Sequence, residues 1–213
     1  MIPACMRLHL HHLFTSTLQR FGVEGPACGR AWDKIASAYS SKGRHYHDLQ
    51  HLEHLANVLQ PHWYQLQDPD AIVLAIAYHD IVYKVTRSDN EEKSADLMRE
   101  CMTPLGLPAA TIERAFKHIL ATKAHSATDD PDTAYFTDAD LSILGADPAT
   151  YDRYAEAIRR EYRRYPDLLY KPGRRKVLQH FLAMPRIFRT ETFHAQLEEA
   201  ARENLRSELS VMG

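Results

Sequence analysis

Apolar side chains recur every three or four residues along most of the chain, which is the spacing of one face of an α-helix. The first such stretch runs from Leu10 to Phe21 and is followed by Gly22, a residue type that often ends helices. No stretch alternates apolar and polar residues convincingly over the length of a strand. The pattern therefore predicts an all-α protein, with further helices at 26–39, 49–66, 71–83, 91–101, 107–125, 148–165, 174–183 and 192–209.

Three local signals refine these predicted helices. Pro61 should kink or divide the third helix, because proline lacks the backbone N–H that a helix interior uses. Asp70 should open the fourth helix, and residues 71–77 have no polar face, so they are expected to be the most buried part of the chain. Ser88 and Glu91 have the spacing of a capping box ahead of the fifth helix.

The chain has 213 residues, which is enough for one sizeable hydrophobic core. The polar stretch 125–133 is the best candidate for a long loop, and it is too short to be a clear domain linker. A single helical-bundle domain over residues 1–213 is therefore predicted. The net charge of -2 gives no overall reason to expect a membrane or a nucleic acid as partner.

Cysteine usage and the first residues bear on the compartment. Cys5, Cys28 and Cys101 are far apart and odd in number, which argues against a disulfide framework and fits a reducing cytoplasm. The apolar N-terminal stretch is interrupted by Arg7 and by three histidines, so it does not resemble a secretory signal. No apolar run reaches membrane-spanning length. The expected location is the cytoplasm.

Histidine is the unusual residue of this composition. The stretch GRHYHDLQHLEHL holds four histidines in thirteen residues. His47 and His51 are four apart, so on a helix they would share one face, which His54 would continue. Imidazole is a common ligand of divalent transition metals. A single histidine is more often a hydrogen-bonded core or surface residue, so a metal site requires further ligands elsewhere in the chain.

His79 and Asp80 are candidates for such ligands, because they follow the apolar run AIVLAIAY. An unpaired buried charge is costly, so Asp80 needs a cation or strong hydrogen-bond donors. A salt bridge to an arginine would serve equally well. In the later stretch FTDADLSILG, Asp138 and Asp140 are each either a ligand or a cap for the short helix that follows.

In this order the residues resemble the HD superfamily of metal-dependent phosphohydrolases, whose pattern is a histidine, a His-Asp pair and a distant aspartate. The resemblance implies His51, His79, Asp80 and Asp140 as metal ligands. The stretch YHDLQHLEHL also resembles the YHNxxHAxxV motif of cyclic-nucleotide phosphodiesterases, in which the first histidine is a proton donor. That likeness implies His47 as the catalytic acid, and the ADLS at 139–142 favours Asp140 over Asp138.

The whole chain resembles a bacterial group of predicted HD phosphohydrolases, and the stretches SDNEEKSA, ILATKAH and GRRKVLQHFL contribute to the likeness. The implied activity is cleavage of a phosphate monoester or diester of a small, nucleotide-like substrate. The chain departs from the cyclic-nucleotide enzymes in one respect. Their nucleotide-clamping glutamine and aromatic pair near the C-terminus cannot be placed here, so specificity for cyclic nucleotides is not implied.

Two imidazoles and two carboxylates suit Mn, Fe, Co, Ni, Zn or Mg, and the donor types do not select among these ions. Four protein ligands leave about two positions of an octahedral ion for water and a phosphate oxygen. Asp80 is expected to be able to take a proton from the water as well as bind the ion. His47 is expected to protonate the leaving oxygen.

Negative charge that develops on phosphorus needs fixed donors. Lys84, five residues after His79, and Arg44, just before the histidine cluster, are the first candidates, and either is alternatively a solvated surface charge. His118 and His125 are seven apart, and histidines at such places hold a second metal in some HD proteins. His125 is the better candidate for the site. Arg87, Lys93 and Lys123 are further candidate donors, and Glu91 and Glu92 are candidates to orient a ligand.

Two rival functions remain open on the sequence. Some HD-fold proteins hold two irons and act as oxygenases, for which His118 or His125 would supply extra ligands. A metal-bound nucleotide sensor without enzymatic activity is the other. The Arg- and Tyr-rich C-terminal third is either a basic strip for a nucleotide or RNA or, more simply, a solvated face, so a nucleic-acid partner is not expected. The sequence does not indicate the oligomeric state.

Overall fold

The computed structural model describes residues 7–212, with side chains from residue 9 onward, so Cys5 lies outside the described residues. Within them every regular element is helical, and the all-α prediction is confirmed. No helix in this part of the chain is both long and apolar enough to cross a membrane. The α-helices are α1 (Arg7–Arg20), α2 (Gly25–Tyr39), α3 (Leu49–Leu59), α4 (Pro69–Tyr78), α5 (Asn90–Met102), α6 (Ala109–Ala121), α7 (Pro131–Leu141), α8 (Pro148–Glu161), α9 (Asp167–Ala183) and α10 (Glu191–Val211).

The chain forms two compact units, Met1–Thr137 and Asp138–Gly213, and the division falls within the continuous helix α7. Within the first unit, α4 packs against α1, α3, α5 and α6. Residues 71–79 form the longest unbroken run of buried residues in the described chain, which confirms the expectation for 71–77. Burying one Ile or Leu side chain contributes about 1.5–3 kcal/mol, so this helix supplies much of the first unit's core.

The start of α4 is fixed by two carboxylates. Asp68, not the predicted Asp70, is the N-cap, and its side chain accepts a hydrogen bond from the Ala71 amide at 3.0 Å. Asp132 of α7 is fully buried and accepts from the amides of Gln67 and Asp68, both at 2.8 Å. Its other contact is the Arg114 guanidinium at 3.1 Å. These bonds satisfy amides that the helix itself leaves without partners.

Helix boundaries differ from the predictions where side chains compete for the backbone. The third helix is divided as expected, because α3 ends at Leu59 and a 3₁₀ helix, Gln60–Gln65, follows with Pro61 in its first turn. The prediction of a capping box at Ser88 and Glu91 is wrong. The N-cap of α5 is Asp89, and its carboxylate binds Arg87 through two hydrogen bonds of 2.7 Å instead of capping the helix.

α7 was not predicted as a helix, since its polar residues are spread around its circumference. The loop predicted over 125–133 is correspondingly shorter, because α7 begins at Pro131. α9 begins seven residues before the predicted 174, with Pro172 inside it. Pro172 lies in the second turn, so it removes only the bond that its amide would have made to the Leu168 carbonyl.

The second unit is held together around a buried ion pair. Arg174 of α9 donates two hydrogen bonds of 2.8 Å to Glu208 of α10, and the Tyr151 hydroxyl of α8 donates to the same carboxylate at 2.5 Å. The three helices of this unit therefore meet at one carboxylate. The prediction of a single domain over 1–213 stays a prediction.

We expect Asp132→Ala to lower the free energy of unfolding by about 2–4 kcal/mol, because it leaves two part-buried amides without their acceptor and leaves Arg114 with only Asp130, at 3.5 Å. Chemical denaturation followed by far-ultraviolet circular dichroism would measure the change. Asp129→Ala, at an exposed position of the neighbouring loop, is the matched control. Equal stability of the two variants would contradict this role of Asp132.

Candidate metal centre

The His-Asp pair lies at the end of α4, whereas the sequence predicted it inside a helix over 71–83. α4 ends at Tyr78, and His79 is its C-cap with helical backbone angles. His79 is 1% exposed, whereas Asp80 is only half-buried. The apolar helix thus carries the pair to the edge of the first unit's core, where the imidazole is enclosed and the carboxylate has access to solvent.

His51 lies in the first turn of α3, and His47 lies before that helix. Asp48 is the N-cap, and its carboxylate accepts from the amides of Gln50 at 2.8 Å and His51 at 3.3 Å. The prediction that His47 and His51 share a helix face is therefore wrong, since the cap starts the helix at Leu49. The two imidazole rings still lie 5.8 Å apart, in an edge-on arrangement.

His51, His79 and Asp140 form a group that could hold a metal ion, with ligand atoms all within 4.8 Å of one another. Asp140 comes from the last turn of α7. The Nε2 atoms of His51 and His79 are 3.1 Å apart. Metal–nitrogen bonds of about 2.1 Å at right angles would place two nitrogens about 3.0 Å apart, so this spacing fits two ligands of one ion.

The orientation of His79 also suits a metal ligand. Its Nδ1 lies 3.1 Å from the Ile76 carbonyl, to which it donates a hydrogen bond. A neutral imidazole with its proton on Nδ1 keeps a lone pair on Nε2, the atom that faces His51. A backbone carbonyl that fixes the tautomer in this way is the usual outer partner of a metal-binding histidine.

Asp80 lies among three imidazoles. Its Oδ2 atom is 3.2 Å from Nε2 of His79 and 3.9 Å from Nε2 of both His51 and His47. Its backbone amide donates to the Tyr39 hydroxyl at 3.0 Å. Asp80 is not part of the three-residue group, so its service as a fourth ligand stays a prediction. Its carboxylate is nevertheless in place to bind either an ion or a protonated histidine.

His47, the predicted acid, is held by aromatic contacts. Its ring lies over that of Tyr83, with centroids 4.2 Å apart and planes inclined by 30°. The Tyr46 ring is nearly perpendicular to it, with centroids 5.0 Å apart. Its Nε2 faces Asp80 at the 3.9 Å given above. The side chain is about one-fifth exposed, so protons can exchange with solvent there.

Arg44, predicted to bind substrate, joins the two segments that carry His47 and Asp80. Its guanidinium donates to the carbonyls of His47 and Ile81, both at 2.9 Å, and lies over the ring of Tyr39 at 4.7 Å. These bonds use both terminal nitrogens, so Arg44 positions the site. A direct contact with substrate stays a prediction.

Asn90 and Ser94 of α5 fix the segment after the His-Asp pair, and sequence reasoning missed this role. The Asn90 side chain accepts from the Lys84 amide at 3.1 Å and donates to its carbonyl at 3.0 Å. Ser94, fully buried, makes the same two contacts with Val82, at 3.1 and 3.3 Å. The two residues are four apart in SDNEEKSA, one turn of a helix, which is the only sequence signal for this clamp.

The remaining predicted cations differ in their surroundings. The Lys84 side chain is exposed, and its role as a donor to phosphate stays a prediction. Lys123 forms an ion pair with Glu92, and Arg87 is bound by Asp89. Burial, together with the nearby carboxylate of Asp80, raises the pKa of Glu91. The first turn of α5 therefore presents the Glu91 carboxylate near Asp80. Two of the candidate cations, Lys123 and Arg87, are already neutralised by ion pairs.

The two aspartates of FTDADLSILG have different tasks. Asp138 is 1% exposed and accepts hydrogen bonds of 2.7 Å from the amides of Arg189 and Thr190 and from the Thr190 hydroxyl. These contacts hold Thr190, the N-cap of α10, so Asp138 fixes the start of a distant helix and does not cap the short one that follows. Asp140 is the aspartate in the metal-ligand group, which agrees with the preference drawn from ADLS.

His118 and His125 do not join a metal-ligand group among the described residues. His118 is fully buried, and its Nδ1 is 2.8 Å from the Thr133 hydroxyl. Burial lowers the pKa of His118. His125, four residues beyond the end of α6, is half-buried and has a φ of 46°, an unusual backbone for a residue with a side chain. A second ion at these histidines stays a prediction.

No family model matches the sequence, and no curated protein or solved structure matches it. The donor set consists of two imidazole nitrogens and a carboxylate oxygen, with the Asp80 carboxylate beside them. Donors of this kind bind Mn, Fe, Co, Ni, Zn or Mg without selecting one of them.

We expect protein purified without chelator to contain a divalent ion that His51→Ala and Asp140→Asn each remove. Loss of a ligand should reduce affinity by more than the roughly 10–100-fold that loss of an outer partner costs. Inductively coupled plasma mass spectrometry after gel filtration would measure the metal content. His180→Ala, exposed and on α9, is the control that should keep the ion. Metal that stays bound in both ligand variants would contradict this centre.

The lowered pKa of His118 predicts a pH dependence of stability. The unfolded chain takes up a proton at its ordinary pKa near 6.5, whereas the folded protein resists protonation until lower pH. The free energy of unfolding should therefore fall as the pH decreases below 6.5, down to the folded-state pKa. His118→Gln should reduce this slope in denaturation curves, and exposed His180→Gln should not. Equal slopes in wild type and His118→Gln would contradict the assignment.

Proposed function

We propose that this protein is a metal-dependent phosphohydrolase of the HD superfamily type. The observation that carries the proposal is the meeting of His51, His79 and Asp140, from three separate stretches of sequence, around one point. Asp80 and His47, which the resemblance assigns to the same site, lie beside the two histidine ligands. An arrangement with three candidate ligands, a further carboxylate and an additional imidazole supports hydrolysis better than metal storage alone.

When bound, the ion would polarise the phosphoryl group and lower the pKa of a water ligand. Asp80 would accept a proton from that water, and this role is supported by a carboxylate that is partly exposed and 3.2 Å from a candidate ligand nitrogen. His47 would donate a proton to the leaving oxygen. The Tyr83 ring and Arg44, through the His47 carbonyl, hold that imidazole in place.

The proposed substrate is a phosphate ester of a small, nucleotide-like molecule, and the sequence resemblance is what supports this choice. Lys84 and His125 are the proposed substrate-binding residues together with Arg44. Lys84 is the last residue of the segment that Ser94 and Asn90 clamp, so its exposed ammonium is attached to a fixed backbone. Cys28 and Cys101 are free thiols, which supports a cytoplasmic location.

The proposal is tested by assaying the metal-loaded protein against a panel of phosphate monoesters, diesters and nucleotides, with and without chelator. We expect chelator-sensitive release of phosphate or of a phosphomonoester from at least one substrate. Two irons per chain together with oxygen-dependent turnover would contradict hydrolysis and identify the protein as an oxygenase. Nucleotide binding without turnover of any substrate would replace it with a sensor.

His47→Ala should lower turnover by roughly 10²–10⁴-fold, the usual contribution of a general acid, while metal content stays unchanged. The loss should be smaller for an ester with a good leaving group, such as p-nitrophenol, because that group needs less protonation. Steady-state kinetics with both kinds of ester and a metal analysis would decide this. If the ion is lost in this variant, or if both esters lose rate equally, His47 is not the acid.

A further inference from the structure

The overall net charge of -2 conceals a basic region around the start of α9. Residues 159–176 contain eight Lys or Arg residues and two acidic residues. The two acidic residues offset only part of this charge, since Asp167 is bound by one cation, Arg159, at 2.7 Å and Glu161 is 5% exposed. The surface of this stretch is therefore strongly positive.

Two leucines stand out from the middle of this region. Leu168 and Leu169 occupy the first turn of α9 and are 83% and 61% exposed. The helix buries its opposite side through Tyr170, Arg174 and Leu178. The leucines therefore belong to a face that no other element of residues 7–212 covers. Exposing two adjacent leucines to water is unfavourable unless another surface buries them.

The cations around the leucines make no ion pair within the described residues. Arg163 and Arg164 are exposed in the turn between α8 and α9, and Lys171 is exposed one helical turn beyond Leu168. The neighbouring Arg160 and Arg174 differ, since each is bound to a glutamate. Arg163, Arg164, Leu168, Leu169 and Lys171 are called the basic leucine patch below.

We propose that the basic leucine patch docks on the surface of an anionic phospholipid membrane. The leucines would enter the boundary between headgroups and acyl chains, and the three cations would lie at the level of the anionic headgroups. Aliphatic side chains at the tip of a helix with lysine and arginine around them are the combination that interfacial binding uses. The contact is peripheral and buries only one turn of α9.

The same features disfavour a nucleic acid as the occupant. Single-stranded nucleic acids bind through aromatic side chains on which bases stack, and leucine offers no such surface. The tyrosines of this region pack on one another, with Tyr162 rings 6.1 Å from Tyr165 and 5.8 Å from Tyr170. Tyr170 is 8% exposed, so it is not available for stacking.

The test is co-sedimentation of the full chain with phosphatidylcholine vesicles, prepared with or without phosphatidylserine. We expect binding only to the phosphatidylserine vesicles, weakening as salt is added, since salt screens exposed charges. The double variant Leu168→Ser/Leu169→Ser should bind about tenfold more weakly or worse, and Lys171→Glu should also bind more weakly. Tyr64→Ser, at a position that is 84% exposed and outside the patch, is the control and should bind like wild type.

Failure of wild type to bind anionic vesicles would overturn the proposal, as would equal binding to neutral ones or full binding by the leucine double variant. Binding to an oligonucleotide that outcompetes the vesicles and does not depend on the leucines would assign the patch to nucleic acid instead. Self-association in analytical ultracentrifugation that the double variant abolishes would assign it to a second copy of the chain. Circular dichroism of the variants excludes unfolding as the cause.

Discussion

Burial of α4 on all sides is the constraint on which the candidate site depends. An apolar helix with no polar face must be enclosed, and α1, α3, α5 and α6 enclose it. Enclosure fixes the direction of the helix, so the residue at its end, His79, has a determined position. The Asp132 carboxylate fixes the opposite end of the same helix. A histidine on a mobile surface loop would not be held in one position by such packing. The packing of α4 therefore fixes the 3.1 Å distance between the Nε2 atoms of His79 and His51.

Electrostatics explains why the residues around this point are of these types. Asp80 and Asp140 would repel each other if both were ionised in a half-buried setting, and imidazole lone pairs add no positive charge. A divalent cation held by His51, His79 and Asp140 would compensate the Asp140 carboxylate and accept both nitrogen lone pairs at once. Aromatic rings and an arginine that binds backbone carbonyls surround the group, so the outer contacts orient the inner residues without competing for the ion.

Periodicity allowed the helical class and the buried α4 to be predicted, because it is a local signal. The members of the candidate ligand group were implied by the resemblance to the HD superfamily, which rests on the order of His, His-Asp and Asp. Periodicity did not allow α7 to be predicted, since that helix has no consistent apolar face. The helical relation of His47 to His51 was wrong because the Asp48 side chain starts the helix between them. The contacts of Asn90, Ser94 and Arg44 could not be inferred at all. Each involves the backbone of a distant segment, and a backbone group has no signature in the sequence.

The clamp formed by Asn90 and Ser94 ties the segment that follows the His-Asp pair to the beginning of α5. Each side chain binds both the amide and the carbonyl of one residue, Ser94 those of Val82 and Asn90 those of Lys84. In a sheet, the backbone of a neighbouring strand would supply such paired hydrogen bonds. Asn90 is the first residue of α5, and terminal turns are where helices fray most readily. Unwinding of this turn would remove the Asn90 contacts of Lys84, leaving its carbonyl bonded to the Arg87 amide and Val82 bonded to Ser94. The position of the segment beside Asp80 therefore depends on the first turn of a neighbouring helix as well as on the segment itself.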